Sequence, residues 1–146
     1  MTKPARRSLT RESGAAAVEF ALVAPLLFML LFGIFEFGLV WSQKNVYVGA
    51  AREGARYAAV NCEGSIAGSC ASGGDTWGKV KQRITDSAVG YPVNFSNFAV
   101  TSTTGSGCTQ PGGTVKVSWT QPMTIDIPFL PVWNLNVPIE AVFRCE

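Results

Sequence analysis

The 146-residue chain contains no histidine, which removes histidine-based triads and most catalytic zinc sites. Its net charge is only +2 and 47% of its residues are hydrophobic, with the cations Lys3, Arg6, Arg7 and Arg11 gathered against Glu12 at the very start. No basic patch interleaved with aromatics follows, so a nucleic-acid surface is not expected, and the length suits one domain plus a separate membrane segment.

From Ala15 to Trp41 the only charges are Glu19 and Glu36. A helix over this span is about 40 Å long, enough to cross a hydrocarbon core of about 30 Å. The cations precede it, so the positive-inside rule places residues 1–14 in the cytoplasm and the remainder outside. Pro25 is expected to kink the helix or remove a hydrogen bond near Leu22, and Gly33 and Gly38 permit bending or close helix contact. Glu19 is the costly residue. A charge at mid-bilayer costs about 2.5–3.5 kcal/mol, less near an edge, so a carboxylate kept there calls for a partner. Glu36 falls in the outer headgroup zone and is assigned no role.

Helical character is expected to continue past Trp41, because residues 42–60 hold no proline. Val46, Ala50, Tyr57 and Val60 fall near one face, while Ser42, Gln43, Lys44, Arg52, Glu53 and Arg56 supply polar positions. One helix from about Gly14 to Val60 results, close to 70 Å long, apolar first and amphipathic second. Ala50, Ala51, Gly54, Ala55, Ala58 and Ala59 form an unusually small surface that allows close backbone approach. Packing by the exported domain is favoured over contact with a partner. Glu53 and Arg56 read as a helix-face pair worth about 0.2–0.5 kcal/mol, and Gly54 within the helix costs about 1 kcal/mol relative to alanine.

Three readings compete for the N-terminal third. A cleaved signal peptide is weakened because Glu36 and Phe37 stand where an Ala-x-Ala-like site belongs. A plain bitopic anchor does not account for Glu19. In the third, cleavage falls before the apolar run and the helix is retained, with Gly14 as the small residue at the cut and Glu19 as the fifth residue of the mature chain. Gly14-Ala15-Ala16-Ala17-Val18-Glu19-Phe20, then Ala24-Pro25, then Ala50-Ala51-Arg52-Glu53-Gly54-Ala55-Arg56-Tyr57-Ala58 resembles the TadE-like pseudopilins of the tight-adherence (Tad, or Flp) pilus systems. The resemblance covers roughly residues 7–60. It implies a prepilin peptidase cutting between Gly14 and Ala15, other pilins or pseudopilins as partners, and a family motif at Arg52, Glu53, Gly54, Ala55 and Arg56. It also implies that the Glu19 carboxylate meets the N-terminal amine of a neighbouring subunit and so sets assembly register.

The four cysteines Cys62, Cys70, Cys108 and Cys145 all follow the apolar run, as an oxidising compartment requires, and no CxxC pair suggests a zinc ribbon. Residues 61–74 form a small-residue loop that Cys62–Cys70 would close. Asp75 or Thr76 then caps a second helix running to about Val89. Its apolar stripe is Trp77, Val80, Ile84 and Ala88, with Lys79, Lys81, Arg83 and Asp86 facing water. Gly90 and Pro92 end it.

Beyond Pro92 the period becomes two. Val93, Phe95, Phe98 and Val100 break step once, suggesting a bulge, and Val115, Val117 and Trp119 alternate with polar residues. Met123, Ile125 and Ile127 resume after Pro122, which points to an edge or a bulge. Val137, Ile139, Ala141, Phe143 and Cys145 alternate to the end. Cys145 shares the inward face of this last strand and Cys108 lies in the loop entering a neighbouring one. We therefore prefer the pairing 62–70 and 108–145 among three connectivities. The segment Pro128–Leu135 is either an exposed contact patch or a lid on the open end of the sheet, and burial is preferred.

The expected organisation is α+β. A basic cytoplasmic leader (1–14) precedes a long helix (15–60), transmembrane to about residue 41. The exported domain (61–146) sets one helix on an antiparallel sheet of three or four strands, stapled by disulfides. Asp75, Asp86, Asp126 and Glu140 are scattered, the serines lack a histidine base, and Ala71–Asp75 lacks the lysine of a phosphate loop. No enzyme, cofactor, metal site or small-molecule substrate is expected. The expectation is a single-pass inner-membrane protein with its C-terminal domain outside. It would act as a minor pilin in pilus assembly and adherence, or as a non-polymerising bitopic protein with a binding domain.

Overall fold

The computed structural model describes residues 12–62, 70, 72–102, 108, 112–128 and 130–145. The basic leader up to Arg11, most of the loop after Cys62 and Phe129 lie outside the described residues. Among the described residues, two helices and three strands follow in the order α1 (Glu12–Asn61), α2 (Asp75–Ser87), β1 (Ser96–Ser102), β2 (Thr114–Ile125) and β3 (Trp133–Arg144). This is the α+β arrangement expected, with three strands and not four.

Helix α1 is about 75 Å long, and Pro25 lies inside it without ending it. Its first half packs on almost nothing. Val18, Phe20, Leu22, Leu26 and Ile34 are all exposed, as a lipid-facing helix would be and a water-facing one would not. Its second half is built into the core through the small-residue surface expected to pack on the exported domain, and not through the face of Val46, Tyr57 and Val60. The buried seam is Tyr47, Ala50, Ala51, Gly54, Ala55, Ala58 and Cys62, whereas Val60 is 70% exposed. The small residues, and not the large apolar ones, choose the inward face because α2 and the sheet approach the backbone there.

The sheet order is β1-β2-β3, antiparallel throughout. The inward positions are Val115, Val117, Trp119 and Met123 of β2 with Ile139 and Ala141 of β3 and Cys145 just after it. Val80, Ile84 and Ala88 of α2 join them. The step expected near Phe95 is real: pairing shifts between Ser96 and Ala99, and Asn97 has φ 55°. Pro122 causes no bulge. Gln121 and Met123 keep the phase of Val115, and β1 ends opposite Thr120, so Pro122 has a strand neighbour only in β3. That local edge is what a proline tolerates.

Helix α2 corrects two expectations. Gly74 is its N-cap and makes no side-chain cap hydrogen bond, so Asp75 sits in the first turn and acts only through the favourable helix dipole. Its regular turns end at Ser87, and Gly90, at φ 84°, supplies the left-handed residue that turns the chain away. Lys81 does not simply face water. Its Nζ lies 3.7 Å from the centre of the Trp77 ring and 5.1 Å from those of Phe95 and Phe98. Partial burial lowers its pKa, while the ring faces favour the cation.

A polar knot inside the core was not expected. The Gln121 side chain is buried, and its Oε1 accepts from the Asn94 N–H at 2.9 Å and from Trp119 Nε1 at 3.3 Å. Its Nε2 donates to the Pro92 carbonyl at 3.3 Å, and the Tyr47 hydroxyl donates to that same carbonyl at 2.9 Å. The knot ties α1 to the chain entering β1. Burial, then the neighbouring Tyr91, holds the Tyr47 pKa above its ordinary 10.0. A raised folded-state value means that the neutral phenol's contribution is complete below the unfolded pKa and is lost as pH rises through the folded one. Denaturant titrations above pH 10 should therefore show a steeper loss of stability in the native chain than in Tyr47→Phe.

Candidate functional site

The residues singled out from the sequence fall into two places about 60 Å apart along α1. Gly14, Ala15 and Glu19 occupy the start of the helix, all exposed. Among the described residues, nothing lies within 4 Å of where a Gly14 Cβ would be. Glu19 has no ion-pair partner among the described residues and is followed directly by exposed Phe20 and Leu22. The carboxylate thus stands on an apolar helix surface with nothing in the described chain to neutralise it.

The second place is the Arg52–Arg56 block, which the structure divides. Gly54 and Ala55 face inward, and a Cβ on Gly54 would fall 2.5 Å from Cγ1 and 2.8 Å from Cδ1 of the buried Ile84 in α2. Only a glycine lets the two helices meet at this distance. Arg52 and Arg56 face outward with Glu53 half-buried, and Glu53 and Arg56 do not form the ion pair expected of them. Arg56 instead borders a shallow cleft of about 350 Å³ with Cys108, Arg144 and Cys145. Tyr57, next along, carries the Arg83 guanidinium at 5.3 Å from its ring centre. Packing accounts for the small residues, the reading favoured above.

Both disulfides take the preferred connectivity, Cys62–Cys70 with Cα atoms 5.7 Å apart and Cys108–Cys145 at 5.2 Å. The first follows the last turn of α1 directly, where the Cys62 N–H donates to the Ala58 carbonyl at 2.9 Å. The second pins the end of β3, whose Cys145 N–H donates to the Gly113 carbonyl at 2.8 Å. Among the described residues, no three metal-ligating side chains converge.

Sequence reasoning missed Gln121 and the Ile84 contact of Gly54. Gln121 carried a signal, a lone amide in an otherwise apolar inward series, while the glycine contact depends on a helix-to-helix distance that no local pattern encodes.

A helix long and apolar enough to cross a membrane, prolonged into a disulfide-stapled α+β head, fits a single-pass, helix-anchored type of protein. Residues 14–56 match the model of the family described as TadE-like protein, which bears out the resemblance drawn from the two motifs. The matched span takes in Gly14, Glu19 and the whole Arg52–Arg56 block and stops before the disulfides, α2 and the sheet. It supports a component associated with Tad pili. No curated protein and no solved structure matches the chain.

Proposed function

We propose that the chain is a minor pilin or pseudopilin-like subunit of a Tad-type pilus assembly and secretion system. In this reading it is made as an inner-membrane precursor and cut by a prepilin peptidase between Gly14 and Ala15, and it contributes to pilus biogenesis and surface adherence. The observation that carries it is the TadE-like span itself, which begins at Gly14 and includes Glu19, a carboxylate in the apolar run with no ion-pair partner among the described residues. Two disulfides in the domain after the helix support an oxidising location for that domain, and the cations before the helix support a cytoplasmic start.

The chemistry of assembly follows from charge compensation. Cleavage frees the amine of Ala15, whose unperturbed pKa is about 7.7–8.0. An isolated ammonium and an isolated carboxylate are each costly in a lipid or filament interior, and each removes the other's cost when they meet. Glu19 lies four residues after Ala15 on the same helix, about 6 Å along its axis. Pairing Glu19 of one subunit with the amine of the next therefore fixes an axial step between neighbouring helices.

Two measurements test this. Mass spectrometry of the protein recovered from membranes and sheared pili should show a mature chain starting at Ala15. An intact Met1, with assembly proceeding normally, would defeat the reading. Glu19→Leu should leave cleavage intact but remove most of the protein from the pilus fraction, and undiminished incorporation would defeat the register role.

A further inference from the structure

Helix α1 and the β2–β3 hairpin meet a second time, away from the core. Beyond Met123 the two strands continue as a free arm, paired Met123 to Leu135, Thr124 to Asn134 and Ile125 to Trp133. A turn closes it, with the Leu130 N–H donating to the Ile127 carbonyl at 3.0 Å. At its tip, Ile127 Cδ1 lies 3.9 Å from where a Cβ on Gly33 would be. Gly33 belongs to the apolar run, fourteen residues before the first core residue of α1, Tyr47. The arm therefore runs back along the helix for about 20 Å, toward its N-terminus.

This position decides what surrounds the tip. A hydrocarbon core of about 30 Å takes some twenty helical residues, so a span starting at Ala15 ends near Phe35 and includes Gly33. Whatever bathes α1 at Gly33 also bathes Ile127. The arm's composition agrees with that setting: Leu130 is 37%, Val132 52%, Trp133 52% and Leu135 40% exposed. Between Trp119 and Ile139 the only charged residue is Asp126. Trp41, 56% exposed on the helix, carries Lys44 at 5.8 Å from its ring, which places a second amphipathic indole on the head side of the span. Tryptophans at this level form the aromatic belt of membrane proteins.

We propose that the tip of the β2–β3 hairpin is a membrane-contact arm. Ile127, Leu130, Val132 and Trp133 enter the boundary between headgroups and acyl chains, in the leaflet from which α1 emerges into the folded domain. The occupant of this apolar surface is lipid, because the surface is continuous with the lipid-facing side of α1 through the Gly33–Ile127 contact. Asp126 sits in the headgroup layer. Held at both the helix and the arm, the domain cannot swivel about α1, so it presents one fixed face to its surroundings. The inference needs only that α1 crosses a bilayer and is independent of the pilus assignment.

The test uses the full chain, labelled with 5-fluorotryptophan, in vesicles of phosphatidylethanolamine and phosphatidylglycerol. Trp133→Phe, Trp41→Phe and Trp77→Phe assign three of the four fluorine resonances. The Trp133 line should be broadened by a nitroxide on the upper acyl chain and protected from a water-borne gadolinium chelate, as the Trp41 line is. The Trp77 line should respond to the chelate. Val132→Asp should raise the chelate effect on Trp133 several-fold, since that side chain is exposed and its loss leaves the core intact. Broadening of Trp133 by the chelate alone would overturn the proposal. So would protection from both agents, which would mark a second copy or another protein on the arm. If Trp41 also ignores the lipid label, α1 is not inserted and the proposal falls with that premise. A Val132→Asp chain indistinguishable from the native one would equally reject lipid contact.

Discussion

Gly54→Ala should destabilise the folded domain, although alanine is the better helix former by about 1 kcal/mol. The new methyl would fall 2.5 Å and 2.8 Å from the outer carbons of Ile84, which is fully buried. Ile84 cannot give way into solvent. Either its rotamer leaves its well or α2 slides from α1, and overpacking of this kind costs about 1–3 kcal/mol. Set against the propensity gain of about 1 kcal/mol, the clash leaves a net loss of up to about 2 kcal/mol, and Gly54→Val should cost more. A double-mutant cycle isolates the cause. Ile84→Ala alone should cost about 2–5 kcal/mol through the cavity it leaves, but on the Gly54→Ala background the added methyl occupies part of that cavity. The pair should therefore cost less than the sum by more than the 0.3–0.5 kcal/mol scatter of about that size seen for independent sites. Urea titration of the full chain in micelles, followed by tryptophan fluorescence, reads all four corners. Simple additivity would mean that Gly54 is not held by Ile84 and that its place in the motif has another origin.

Where the sequence was readable, one physical signal ruled alone. The first half of α1 shows because Glu19 and Glu36 are the only charges from Ala15 to Trp41, and β2 and β3 show because Val115, Val117 and Trp119, then Ile139 and Ala141, alternate without interruption. The inward face of α1 beyond Lys44 did not follow from hydropathy. There the closest approach of neighbouring backbones selects alanine and glycine, and the larger Val60 turns outward. The Pro128–Leu135 segment was misjudged for a related reason. Burial was preferred there as a lid on the open end of the sheet, yet Trp133–Leu135 belongs to β3, and Leu130, Val132, Trp133 and Leu135 stay uncovered. The core face of the sheet is covered by α1, which lies on β2 and β3, while α2 packs on α1. What surrounds the arm depends on how far it runs along α1, a distance set by tertiary packing and by no local periodicity.

The two disulfides should contribute unequally, and the order is fixed by the loops they close. Cys62 and Cys70 are 8 residues apart in sequence, Cys108 and Cys145 are 37 apart. Restricting the unfolded chain over these lengths is worth about 2.5 kcal/mol for the short loop and about 4 kcal/mol for the long one. Native-state effects act in the same direction. Cys62 follows a helix end whose last N–H is already satisfied by the Ala58 carbonyl, so α1 keeps its final turn without the bridge. Cys145 directly follows the edge strand β3, and apart from the bridge it is held there by its hydrogen bonds with Gly113 and Gly112, at 2.8 Å and 3.3 Å. Cys62, Cys70 and Cys145 are buried, so alanine is the better replacement, since a serine hydroxyl there would add a desolvation cost of its own. In guanidinium titrations, Cys108→Ala with Cys145→Ala should lose about 4 kcal/mol and Cys62→Ala with Cys70→Ala about 2.5 kcal/mol. The former should also speed amide exchange at Phe143 and Arg144 selectively. Equal losses, or the reverse order, would show that packing around the sulfurs governs the stability and that loop closure does not.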